Sequence, residues 1–133
     1  MPLHEAEMSS TSSHDKRVAF WTVAAVGVFP AVLAWTWYGF AQFEAQTEQP
    51  KALSADTTMA GSAEIFGGIP LLLAHAIGLV VLLALGWFAY RGRGLALAVA
   101  AVILASLVGI VVAQLLWAGE LFQLGIDNDT YVP

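Results

Sequence analysis

Of the 133 residues in this chain 59% are hydrophobic and 11% charged, whereas a soluble domain carries roughly 25% charged residues. That balance excludes an ordinary soluble fold, and the absence of cysteine excludes disulfides, thiol catalysis and thiolate metal sites within the chain. The formal net charge of −5 comes from acids scattered through loops and tails. With only 5 Lys and Arg residues there is no basic patch to neutralise phosphates, so no nucleic-acid partner is expected.

Residues 1–15 are polar, with Ser9, Ser10, Thr11, Ser12 and Ser13 in succession. Such a segment cannot bury enough apolar area to order itself, which predicts a flexible cytoplasmic tail. Met8 before the serine run is an alternative start site. Lys16 and Arg17 then precede an apolar run over about 18–43, whose first part, 18–34, imitates a secretory signal. It is too long and aromatic for one, and Trp35, Thr36, Trp37 and Tyr38 stand where a small-residue cleavage site belongs. A retained first transmembrane helix is expected. Pro30 removes a backbone donor there and crowds the Val26 carbonyl, which predicts a kink.

Residues 44–62 are polar, contain Pro50 and read as an outside loop. Gly67, Gly68 and Pro70 mark the start of a second helix over about 67–90, with the proline in the first turn. Arg91, Gly92, Arg93 and Gly94 form the short connection to a third helix over about 95–118, which forces a tight antiparallel hairpin. Each apolar run reaches the ~20 residues needed to cross ~30 Å of hydrocarbon. The predicted fold is all-α: an integral membrane protein whose transmembrane domain of three helices covers 16–120, followed by a short exterior tail over 121–133.

Orientation follows from charge. Lys16, Arg17, Arg91 and Arg93 fall at ends that share one side, while Glu44, Glu48, Asp56, Glu64, Glu120, Asp127 and Asp129 fall at the others. This predicts a multi-pass protein of the cell membrane with its amino terminus cytoplasmic and its carboxyl terminus exterior. Trp21, Trp87 and Tyr90 are expected near the inner interface, and Trp35, Trp37, Tyr38 and Trp117 near the outer one.

His75 is the one ionisable residue well inside a run, ~12 Å from the outer end of the second helix by the helical rise. Polar groups at that depth are costly and often functional. Its surroundings, Ala74-His75-Ala76-Ile77-Gly78 ahead of an arginine-containing turn, loosely resemble the haem-bearing helices of small b-type cytochromes and haem A synthase-like proteins. The resemblance covers the second and third helices only. It implies haem b as a cofactor, and because His4 and His14 lie in the tail, the second axial ligand would come from His75 of another copy. The competing reading is a hydrogen bond from His75 to a neighbouring helix or a partner subunit. Gln114, near the outer end of the third helix, is expected to bond to backbone, and Glu64 and Glu120 to be solvated.

The strongest pattern is steric. Ala101, Ala105, Gly109 and Ala113 recur every four residues along the third helix, Ala74, Gly78 and Gly86 occupy one face of the second, and Gly27 with Ala31 pair in the first. Small side chains let helix backbones approach closely and gain dispersion contacts. Extramembrane segments this short do not fold as catalytic domains, so no enzyme is expected. The favoured reading is a small non-catalytic accessory or assembly subunit of a larger membrane complex, respiratory or transport in kind, docked through the third helix and parts of the others. A dimeric haem b cytochrome and a holin-like self-assembling membrane protein are the alternatives.

Overall fold

The structure is a computed structural model that describes residues 2–125; Asp127 and Asp129, and with them most of the expected exterior tail, lie outside the described residues. Four helices follow in order: α1, Pro2–Val26; α2, Val28–Ser54; α3, Ile69–Tyr90; and α4, Gly92–Leu116. Among the described residues there is no strand. Three helical stretches, Pro2–Ser54, Glu64–Tyr90 and Gly92–Leu116, are long and apolar enough to cross a membrane.

α1 and α2 form one rod interrupted at Gly27. Proline at position 30 has no N–H to give the Val26 carbonyl, so the ladder stops there. The flanking bonds persist on either side, from Gly27 N to Val23 O at 2.8 Å and, stretched, from Ala31 N to Gly27 O at 3.4 Å. The expected kink is therefore a local break in hydrogen bonding.

Two expectations differ from what is observed. Residues 2–15, read as too polar to order, are helical and exposed throughout, with the Ser10, Thr11 and Ser13 hydroxyls bonding back to carbonyls of the preceding turn. The segment from Glu44, read as a loop, continues α2 through Pro50 to Ser54. Ala41, Ala45 and Gln49 recur every four residues there and are buried. Gln49 then fixes the chain beyond the helix, accepting from Met59 N at 2.7 Å and donating to Thr58 Oγ1 at 3.1 Å.

A π-helical turn, Glu64–Gly68, leads into α3. Gly67 lies against α2, where an added Cβ would stand 2.8 Å from Ala41 Cβ, and the Trp37 indole donates to the Phe66 carbonyl at 2.7 Å. Arg91 alone separates α3 from α4, with φ at 56°. At this basic end Phe20, Leu82 and Ala98 form a buried cluster. Phe20 meets Trp21 and Tyr90 edge to face, and Trp21 donates to the Tyr90 hydroxyl at 2.8 Å. Arg17 lies 5.2 Å over the Tyr90 ring and Arg91 5.8 Å over that of Trp87.

At the opposite end, residues 117–125, which include the described part of the expected tail, fold back onto the helices. Leu121 is fully buried, seated against Gly39 together with Trp117. Gln114 organises this return, donating to Gly119 O at 2.8 Å and accepting from Leu121 N at 3.0 Å. The expected backbone role of Gln114 is thus met by the segment that follows it.

Candidate functional site

The small residues singled out in the sequence separate into two groups once their surroundings are known. Gly86 is a true close approach: a Cβ there would stand 2.8 Å from the Gly94 carbonyl carbon, and one on Gly94 would overlap the Gly86 carbonyl. Gly109 is another, with Trp35 Cδ1 at 2.7 Å and Ala31 O at 2.8 Å from an added Cβ. Ala113 and Ala31 are buried, and Ala101 packs on the Phe20 cluster. On the α4 stripe, Ala101, Gly109 and Ala113 thus pack against this chain's own residues, while Ala105 faces a cavity.

The second group surrounds space. Gly27, Ala31, Ala74, Gly78 and Ala105 line a cavity of about 240 Å³ between the α1/α2 break, α3 and α4. A Cβ on Gly78 would have no neighbour within 4 Å. Its lack of a side chain holds the cavity open and draws no backbone close. The break at Gly27 and Pro30 forms the facing wall, with Leu82 and Val102 at its basic side.

His75 is the one residue with a polar side chain among those lining this cavity. Its Nδ1 lies 2.8 Å from the Leu71 carbonyl oxygen. A carbonyl only accepts, so Nδ1 carries the proton, and in the neutral ring Nε2 is left as an acceptor. Nε2 is buried without a hydrogen-bond partner. An unmet buried acceptor costs about 1–3 kcal/mol. Trp35 stands edge to face with the imidazole at 6.2 Å between ring centres, and cannot satisfy it because its own N–H donates to Ser106 Oγ at 3.0 Å. The expected bond from His75 to another helix is replaced by one within α3, to Leu71.

A histidine held by a carbonyl at one nitrogen and free at the other has the arrangement of a metal ligand. Here, however, Nε2 is enclosed by side chains of its own chain. A second copy's His75 would have to open the cavity to share an iron with it. Among the described residues no three His, Cys, Asp or Glu side chains come together to hold a metal ion. Glu64 and Glu120 are exposed. The cavity itself escaped the sequence reading because it depends on where the Pro30 break falls relative to Gly78, and only the unmatched histidine signalled it. Comparison with protein-family models, with curated proteins and with solved structures gives no match.

Proposed function

We propose that this chain crosses the cell membrane three times, amino terminus cytoplasmic and carboxyl end exterior, with α3 and α4 as an antiparallel hairpin. In that setting it serves as a small non-catalytic accessory or assembly subunit of a larger membrane complex, of the respiratory or transport kind. The orientation is supported by the arginines stacked on Tyr90 and Trp87 at one end, where cationic and aromatic side chains meet cytoplasmic headgroups. Lys51, the one basic residue toward the other end, is paired with Glu48 at 3.1 Å.

One observation carries the accessory role: the length of the α1/α2 rod. It runs 53 residues, ~80 Å at the helical rise, against ~30 Å of hydrocarbon. The remainder projects beyond the bilayer, and residues 2–19 are exposed throughout. A lone polar helix in water is marginal, and a surface on another protein is what such a projection needs. The outward faces of α3 and α4, with Leu72 at 71% and Leu104 at 62% exposure, offer apolar area to lipid or to neighbouring subunits.

Purification from the native membrane in mild detergent tests this reading. Large subunits should co-purify in fixed proportion, and removal of residues 2–15 should release them while the remaining chain stays folded. A full-length chain that purifies alone overturns the accessory role.

A further inference from the structure

The cavity between the α1/α2 break, α3 and α4 is a slot, long for its width. Its walls run from Val23 to Ala31 on the α1/α2 rod and from Ala74 to Leu82 on α3, ~12 Å on each at the helical rise. Spread over that length, about 240 Å³ leaves a section of ~20 Å², which admits one hydrocarbon chain when carbon atoms pack at ~4 Å. An extended chain with carbon-carbon bonds of ~1.5 Å gains ~1.25 Å per methylene, so ~9 methylenes fill the slot from end to end.

Nothing along the slot asks for a polar partner. Val23, Pro30, Gly78, Leu82, Val102 and Ala105 bring no polar side chain. His75 offers an occupant no free acceptor, because Nδ1 bonds to Leu71 O at 2.8 Å and Nε2 is enclosed by the chain. Water, which needs about 3 polar partners, is not held in such a place. Left empty, the walls forfeit dispersion contacts that a chain lying between them restores. The opening is lateral: Pro30 and Ile77 both line the slot and both are exposed, which puts its mouth on the flank between α2 and α3. Ala74 to Leu82 is also the middle of α3, Ile69–Tyr90, the depth at which the methyl ends of acyl chains meet in a bilayer.

We propose that this slot binds one acyl chain of a membrane phospholipid, which enters between Pro30 and Ile77 and lays its methyl end along Gly78, with Val102 and Ala105 as the floor. Gly78 keeps the space open, since a Cβ there has no neighbour within 4 Å. Fused-ring lipids are too broad for a section that admits one chain. The bound chain stands in for the side chains that the small residues lack and joins α1/α2 to α3 where the rod is broken. The proposal rests on the membrane placement above and is independent of the accessory role.

The test uses the full chain in phosphatidylcholine liposomes doped with a phosphatidylcholine that carries a diazirine near the methyl end of one acyl chain. After irradiation, adducts are mapped by tandem mass spectrometry. Surrounding lipid meets the outward residues at this depth, Val80 at 66% and Leu107 at 52% exposure, whereas Val102 and Ala105, half-buried at the floor of the slot, are met by a chain inside it. The wild type should carry adducts at all four. Gly78→Leu, which fills the open space, should lose those at Val102 and Ala105 and keep those at Val80 and Leu107, which also reports that the variant is inserted. Gly78→Ala, a single methyl in the same space, should lower the floor adducts only in part. Wild-type adducts at Val80 and Leu107 without any at Val102 and Ala105, or floor adducts undiminished in Gly78→Leu, overturn the proposal and leave the membrane placement standing. Adducts at none of the four overturn both.

Discussion

Gly86 and Gly78 lie on one face of α3 and look alike in the sequence, yet alanine should act oppositely at the two. At Gly86 the new methyl carbon would stand 2.8 Å from the carbonyl carbon and 3.2 Å from the Cα of Gly94. Carbon atoms pack at ~3.5–4.0 Å, so α3 and α4 must separate by roughly 1 Å at this point. A gap of that size forfeits a quarter to a half of each neighbouring contact, and overpacking of this kind costs about 1–3 kcal/mol. That cost lowers the folding equilibrium about 5- to 150-fold. At Gly78 the methyl meets nothing within 4 Å, and the gain in helix propensity of ~0.5–1 kcal/mol is unopposed. Reversible unfolding in mixed micelles, followed by tryptophan fluorescence, measures both. Gly86→Ala should shift the midpoint to lower denaturing detergent, and Gly78→Ala should leave it unchanged or raise it. Equal shifts for the two variants would refute the assignment of one glycine to contact and the other to open space.

Three other substitutions probe the remaining joints. Gly109→Ala should lose about 1–3 kcal/mol in the same assay, because its methyl meets Trp35 and the Ala31 carbonyl, whereas Leu104→Ala on the outer face should change little; similar losses would show that the α4 stripe is not an internal contact. Gln114→Ala removes the bonds to Gly119 and Leu121 and should speed limited proteolysis within 117–125, measured by mass spectrometry; unchanged cleavage would mean the return segment is held otherwise. Pro30→Ala restores the donor that Val26 lacks and should increase amide-exchange protection at Ala31, whose bond to Gly27 is stretched to 3.4 Å; unaltered exchange would place the cause of the break elsewhere.

The three apolar stretches were legible because length and composition alone decide whether a helix can span hydrocarbon. Pro30 was legible for a similar reason, since the missing donor acts locally. Segments outside those stretches were harder. Pro50 and the charges around it suggested a loop, while the spacing of Ala41, Ala45 and Gln49, which marks a buried helical face, went unused. Leu121 likewise sits among polar residues and becomes buried only because Gly39 leaves room for it. The glycines show the limit most clearly. Spacing identified Gly86 and Gly78 together, but it carries no information about what faces them: Gly94 in one case and a cavity in the other. His75 stood out by its depth, whereas the state of its two nitrogens depends on the Leu71 carbonyl and on the walls around Nε2.

The account turns on three crossings with the termini on opposite sides, and the chain's lack of cysteine makes that directly measurable. Single cysteines introduced as Ser13→Cys, Ala60→Cys, Gly92→Cys and Gln123→Cys, treated with a membrane-impermeant maleimide in intact cells, report each side in turn. Positions 60 and 123 should label before permeabilisation, and positions 13 and 92 only after it. Labelling of positions 13 and 123 from the same compartment would contradict the three-crossing arrangement.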